Sequence, residues 1–89
     1  PPYGVLDLVK TPRQKEDPHV GDIYLLNRIK EINPMLHCFG HIHEDYGVEQ
    51  ISDTRTTAIN AASLNDKYTY RKSFVEIQIH DKKIKEIKW

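Results

Sequence analysis

The chain has 89 residues, 38% hydrophobic and 29% charged, with Lys plus Arg and Asp plus Glu balanced at 13 each. Length and composition fit one small globular domain and exclude a disordered chain; no apolar run nears the ~20 residues that span a bilayer, and no signal-peptide pattern opens the sequence. Zero net charge supplies no field to gather nucleic acid or a membrane surface.

In chain order, residues 1 to 18 read as loop. Pro1, Pro2, Gly4, Pro12 and Pro18 punctuate it, and Arg13 to Asp17 is a charged run. Val5, Leu6, Leu8 and Val9 form an apolar patch able to dock this loop on a core. From about Val20 to Ile32 the period becomes helical: Ile23, Leu26 and Ile29 recur at three-residue steps, widened by Leu25 and Ile32. Asp22 suits the positive end of the helix dipole. Asn33-Pro34 stops the helix, because a residue before proline avoids the helical region.

Met35 to Phe39 is a short apolar strand, predicted to be buried on both faces. Cys38 lies inside it. As the only cysteine it excludes an internal disulfide, predicts a reducing, cytoplasmic setting, and reads as a buried small hydrophobe. Gly40 then lets the backbone turn sharply. Tyr46 to Ile51, Thr56 to Ala61 and Ser73 to His80 read as strands. Asn65-Asp66-Lys67 reads as a loop. Asp81-Lys82-Lys83 connects to a last strand, Ile84 to Trp89, in a hairpin. The basic run Lys82 to Lys88 alternates with Ile84 and Ile87 and reads as a solvated strand face. The order of elements predicts an α/β fold, in which ligands sit beyond the carboxyl ends of strands.

Gly40-His41-Ile42-His43 falls at such an end. Imidazole binds borderline metals. On a regular strand, side chains at i and i+2 stand ~6.5 Å apart, too far to share one ion whose donors lie about 2 Å away. A bent loop brings such a pair closer, or the two histidines serve two ions, which in phosphoesterases sit ~3.5–4 Å apart. The competing reading of the residues alone is a surface loop with two unrelated histidines.

The run Pro34-Met35-Leu36-His37-Cys38-Phe39-Gly40-His41-Ile42-His43-Glu44, followed by Tyr46-Gly47, resembles the last motif of the calcineurin-like metallophosphoesterases, closest to their cyclic-nucleotide phosphodiesterase-like branch. Pro1-Pro2-Tyr3-Gly4-Val5-Leu6-Asp7 resembles the stretch after that branch's Thr-His-Gly motif. Ile59-Asn60-Ala61-Ala62-Ser63 resembles a later strand end. The resemblance implies a four-layer α/β/β/α sandwich, of which residues 1–89 are the C-terminal segment of a single domain. It implies two divalent ions (manganese, iron, zinc or nickel), with His41 on the second and His43 on the first. It also implies attack on a phosphodiester or phosphomonoester, favoured to be that of a nucleotide, by a bridging hydroxide. The family's other ligands and its usual proton donor lie in motifs that do not occur in this sequence. No catalytic residue is assigned in the chain itself, and the chain alone is expected to be inactive. The predicted partner is therefore the N-terminal part of the domain, or another chain that completes the fold, together with a small phosphoester.

Around this motif the candidates carry paired readings. His37 is structural or supports a ligand from behind. Glu44 and Asp45 orient the imidazoles or are solvated. Asn60 contacts the site or bonds the strand end. Tyr3 lines a substrate cleft or packs. His19 and His80 read as surface residues, and Trp89 as closing against a helix or fraying. Two other functions compete with the hydrolase: a non-catalytic binding or regulatory chain that keeps the fold, and a single-metal structural site built from His37, His41 and His43.

Overall fold

The computed structural model describes residues 1–9, 18–64 and 74–89. Helix α1 spans Ile23–Ile32. Strands follow as β1 (Leu36–Phe39), β2 (Gly47–Gln50), β3 (Thr57–Asn60), β4 (Glu76–His80) and β5 (Lys83–Lys88), with a short 3-10 turn at His43–Asp45 between β1 and β2. Asn65-Asp66-Lys67 and Ser73 lie outside the described residues. The α/β expectation holds for this small mixed unit of one helix and two sheets.

Asp22 is more than a favourable charge at the helix start. Its carboxylate caps the helix, accepting from the backbone N–H of Tyr24 at 2.8 Å and of Leu25 at 3.4 Å, which satisfies two donors that have no partner inside the helix. Asn33 ends the helix in the left-handed conformation, and its N–H returns to the Ile29 carbonyl. Asparagine tolerates that conformation, and Pro34 cannot continue the helix.

One sheet has the order β1-β3-β2. β1 runs parallel to β3, and β2 antiparallel to it. The strand buried on both faces is thus β3, whose Ala58, Ile59 and Asn60 are fully buried. β1, predicted for that place, is an edge strand here, and Cys38 on it is exposed, not buried. The apolar run did not bring the predicted burial, because burial needs neighbours on both sides, and within the described residues β1 has a strand on one side only.

The core joins Val5 and Leu6 from the first segment, Ile29 from α1, Ile51 and Ala58, with Leu25, Leu26 and Phe39 packed against them. Each large aliphatic so buried stabilises the fold by about 1.5–3 kcal/mol. The helix stripe is narrower than its period suggested: Ile23 and Ile32 are 46% and 58% exposed, because the ends of the helix overhang a small core. Among the described residues, the loop that opens the chain is tied down by two isolated bridges, Pro2–Asp22 and Leu8–His19.

β4 and β5 form the expected hairpin. His80 pairs with Lys83, so the turn is the two residues Asp81-Lys82, both at positive φ, as two-residue hairpin turns of this hand require. Trp89 neither frays nor meets a helix; its ring lies edge-on to Tyr46 at 6.3 Å. No helix among the described residues is long and apolar enough to cross a membrane.

Candidate metal centre

β1 and β2 flank β3, so the segment that joins them, residues 40–46, must cross the carboxyl end of β3. The row Phe39, Asn60, Gly47 marks that end in register. Asn60 points up into the crossing segment. Its Nδ2 donates to the carbonyls of Ile42 at 2.7 Å, Asp45 at 3.0 Å and Leu6 at 3.4 Å, while its Oδ1 accepts the Ala62 N–H at 3.1 Å. The residue is 0% exposed. Of its two readings the strand-end bonding role is the one observed: every polar atom of its amide is spent on backbone, and the backbone it holds is that of the histidine segment.

Asp45 adds a second tie. Its Oδ2 accepts the Leu8 N–H at 3.0 Å, so this carboxylate anchors the first segment to the turn. His43 opens that turn and is half-buried, as is Glu44.

The sharp bend does not sit on Gly40, which has no positive φ; it sits on His41, with φ +79°. The Ile42 N–H donates to the Gly40 carbonyl at 3.0 Å. A hydrogen bond across one residue at positive φ is the rare, strained form of γ-turn. A non-glycine residue held there costs about 1–3 kcal/mol and persists only where the surroundings enforce it. Here the enforcement is visible: Asn60 grips Ile42 directly after the bend. The consequence is an exposed imidazole at position 41, redirected from the course it would have on a continued strand.

His37 stands apart on β1. Its ring tilts against Phe39 with centroids 5.5 Å apart. Its Nε2 is buried and has no hydrogen-bond partner among the described residues. Burial pushes its pKa below the usual histidine value. Among the described residues no three His, Cys, Asp or Glu side chains gather in a way that could hold an ion. The single-metal site of His37, His41 and His43 is therefore not formed: strand geometry leaves His37 on the sheet while His41 and His43 lie on the segment beyond it. Two imidazoles on a braced segment do fit a metal as a partial donor set, since neutral imidazole is a ligand for borderline divalent ions.

One residue of consequence was given no role from the sequence. Asp7 is 0% exposed, with Oδ2 accepting the N–H groups of Gly4 at 2.9 Å and Gly21 at 2.8 Å. Its Oδ1 lies 2.7 Å from His19 Nδ1. His19, expected on the surface, is thus tied to a buried carboxylate, and Tyr3 packs on it with ring centroids 5.5 Å apart. The signal available was a lone Asp between apolar residues; the partner lies twelve positions away and across a bridge that no local period announces.

Compared with known proteins, the chain is 44% identical over 69 residues to metallophosphoesterase domain-containing protein 1 of Homo sapiens and of Mus musculus, a match covering 76% of this chain and 19% of each relative. It is 43% identical over 65 residues to a UPF0046 protein of Caenorhabditis elegans, covering 73% of this chain and 20% of that one. The chain therefore spans about a fifth of the length of the curated relatives it matches. No protein-family model matches the chain. No solved structure matches it.

Proposed function

We infer that this chain, which belongs to the metallophosphoesterase family as a segment of the family's longer proteins, supplies the last pair of metal ligands of a dinuclear phosphoester hydrolase. His41 and His43 hold one divalent ion each. The single observation that carries this reading is the strained bend at His41: an exposed imidazole is held at positive φ, at the carboxyl end of β3, by a residue whose whole amide is devoted to the crossing segment. Strain of this kind concentrates at working sites, where pre-organisation is part of the mechanism.

Bound divalent ions supply charge neutralisation at the phosphoryl oxygens and a water made acidic enough to attack at neutral pH. The chain's own contribution is placement. Asn60 and Asp45 fix the backbone on either side of His43, so both imidazoles are presented without reorganisation when substrate arrives. Within the whole protein this segment takes its place in a four-layer sandwich, and the N-terminal part of the domain brings the remaining ligands. The substrate class is a phosphodiester or phosphomonoester, favoured to be that of a nucleotide on the likeness of Leu36 to Glu44 to the phosphodiesterase-like branch.

The test uses protein that carries this segment within its complete domain. Metal-dependent hydrolysis of bis(p-nitrophenyl) phosphate with added manganese is expected, and His41→Ala and His43→Ala each reduce it by at least about 100-fold. Turnover unchanged in both variants overturns the assignment, and absence of turnover in the unaltered protein favours the non-catalytic binding reading.

A further inference from the structure

We propose that the cleft between the β4–β5 hairpin and the start of β3 is an anion site that holds a phosphate group, free or on a small phosphorylated molecule. The proposal is independent of the metal reading, because the cleft lies at the opposite end of the strands from the histidine segment.

The cleft has a volume of about 400 Å³ and is lined by Met35, Arg55 and Thr57 on one side and by Lys82, Lys83 and Ile84 on the other. That size suits a small molecule. Thr57 opens β3, and its N–H donates to the Met35 carbonyl at 2.9 Å, which ties the first wall together. Lys82 belongs to the hairpin turn and Lys83 opens β5. In register, Leu36 and Thr57 mark the amino end of the parallel pair, and Phe39 and Asn60 its carboxyl end. The histidines follow Phe39, so the length of the strands separates the two places.

Charge is the second point. Arg55, Lys82 and Lys83 are cationic, and none of the lining residues is acidic. Asp81, next to Lys82, has its carboxylate 3.0 Å from His80 Nε2. Among the described residues no ion pair engages Arg55, Lys82 or Lys83. Cations gathered in a concave place without a counter-charge raise the local concentration of an anion.

Arg55 supplies the shape. Its backbone N–H donates to Asn33 Oδ1 at 2.9 Å, and its Nε donates to the Asn33 carbonyl at 2.7 Å. Asn33 is itself fixed as the cap of α1. The guanidinium is thus held from behind, and Nη1 and Nη2 have no partner among the described residues. Two parallel N–H donors match two oxygens of a phosphate group, and the lysine ammonium groups act as point charges on the rest. A carboxylate, with one charge and two oxygens, would leave the lysines unmatched. Met35 and Ile84 offer apolar contact to a group that carries the phosphate.

The test is calorimetric titration of protein that carries this segment within its complete domain, in EDTA so that no metal ion binds the probe. The probes are inorganic phosphate and phenyl phosphate. Lys82 lies at φ +61°, a conformation that glycine takes without strain, so Lys82→Gly removes a charge and keeps the turn. Lys83→Gln removes a second charge from an exposed position. The double variant is expected to bind at least about 10-fold more weakly than the parent. His41→Ala is expected to bind within about 2-fold of the parent, as a distant site should. Tighter binding of phenyl phosphate identifies a phosphorylated molecule as the occupant, and equal affinities identify the free ion. No binding by the parent at millimolar concentrations, or binding that the double variant leaves intact or that His41→Ala abolishes, overturns the proposal.

Discussion

The side-chain amide of Asn60 holds the carbonyls of Ile42 and Asp45 at 2.7 and 3.0 Å, fastening the segment that carries both candidate ligands to the end of the central strand. Asn60→Asp puts a carboxylate against three carbonyl oxygens and takes the side-chain donor from each of them. A loss of about 2–4 kcal/mol in urea unfolding is expected, from unsatisfied buried groups. Stability within about 0.5 kcal/mol of the parent would show that the amide is not the fastening.

At His41 the same frame imposes strain, and strain can be removed. Glycine adopts φ +79° without steric cost. His41→Gly is expected to leave stability equal or raise it by up to about 1 kcal/mol, offset by the freer unfolded chain, while weakening manganese binding by the complete domain. Urea unfolding and calorimetric titration read the two effects separately. A clear fall in stability with binding intact is the contrary result.

Asp7→Asn tests the buried carboxylate. The amide cannot accept from two backbone N–H groups and from His19 as the carboxylate does. A loss of about 2–4 kcal/mol is expected, of the size seen when a buried charge network is broken. A thermal midpoint that does not move would mean the network is not needed for folding.

Gly21 lies where the first segment meets the helix. A Cβ there would press on the Pro2 carbonyl and sit 2.7 Å from the Tyr3 nitrogen. Both are backbone atoms and neither can swing aside. Gly21→Ala is expected to cost about 2 kcal/mol or more and to open the Pro2–Asp22 bridge. Hydrogen exchange at the Tyr3 and Asp22 amides, faster than in the parent, is the direct check.

His37 gives a pH dependence with a definite sign. Its folded pKa lies below 6.5, so the folded state resists the proton that the unfolded chain accepts. Stability is full above that value and falls as pH drops through it toward the folded pKa. His37→Leu should remove this part of the acid loss. Urea unfolding at pH 7.5 and pH 5.5 is expected to show a smaller difference in the variant than in the parent; an equal difference rules out the contribution of His37.

Much of the local structure was legible. The acidic Asp22 at the helix start, the stop at Asn33-Pro34, the hairpin after His80 and the strands around the histidines each follow from rules that act over a few residues. Burial was read less well. Cys38 looked buried because its neighbours are apolar, yet an edge strand exposes it. Ile23 and Ile32 kept the helical period and still face solvent. Asn60 was flagged, but its role was split between a site contact and a strand-end bond, and only the distances decide.

By itself, then, the sequence determined the elements and pointed to His41 and His43, because propensities, caps and a motif are written in adjacent residues. Tertiary structure decided three further things: which strand is central, where the backbone bends, and that Asp7 meets His19. These depend on pairings across the chain. Strand order puts Asn60 under the crossing segment, where it holds Ile42 next to the bend, and the positive φ falls on His41 and not on Gly40.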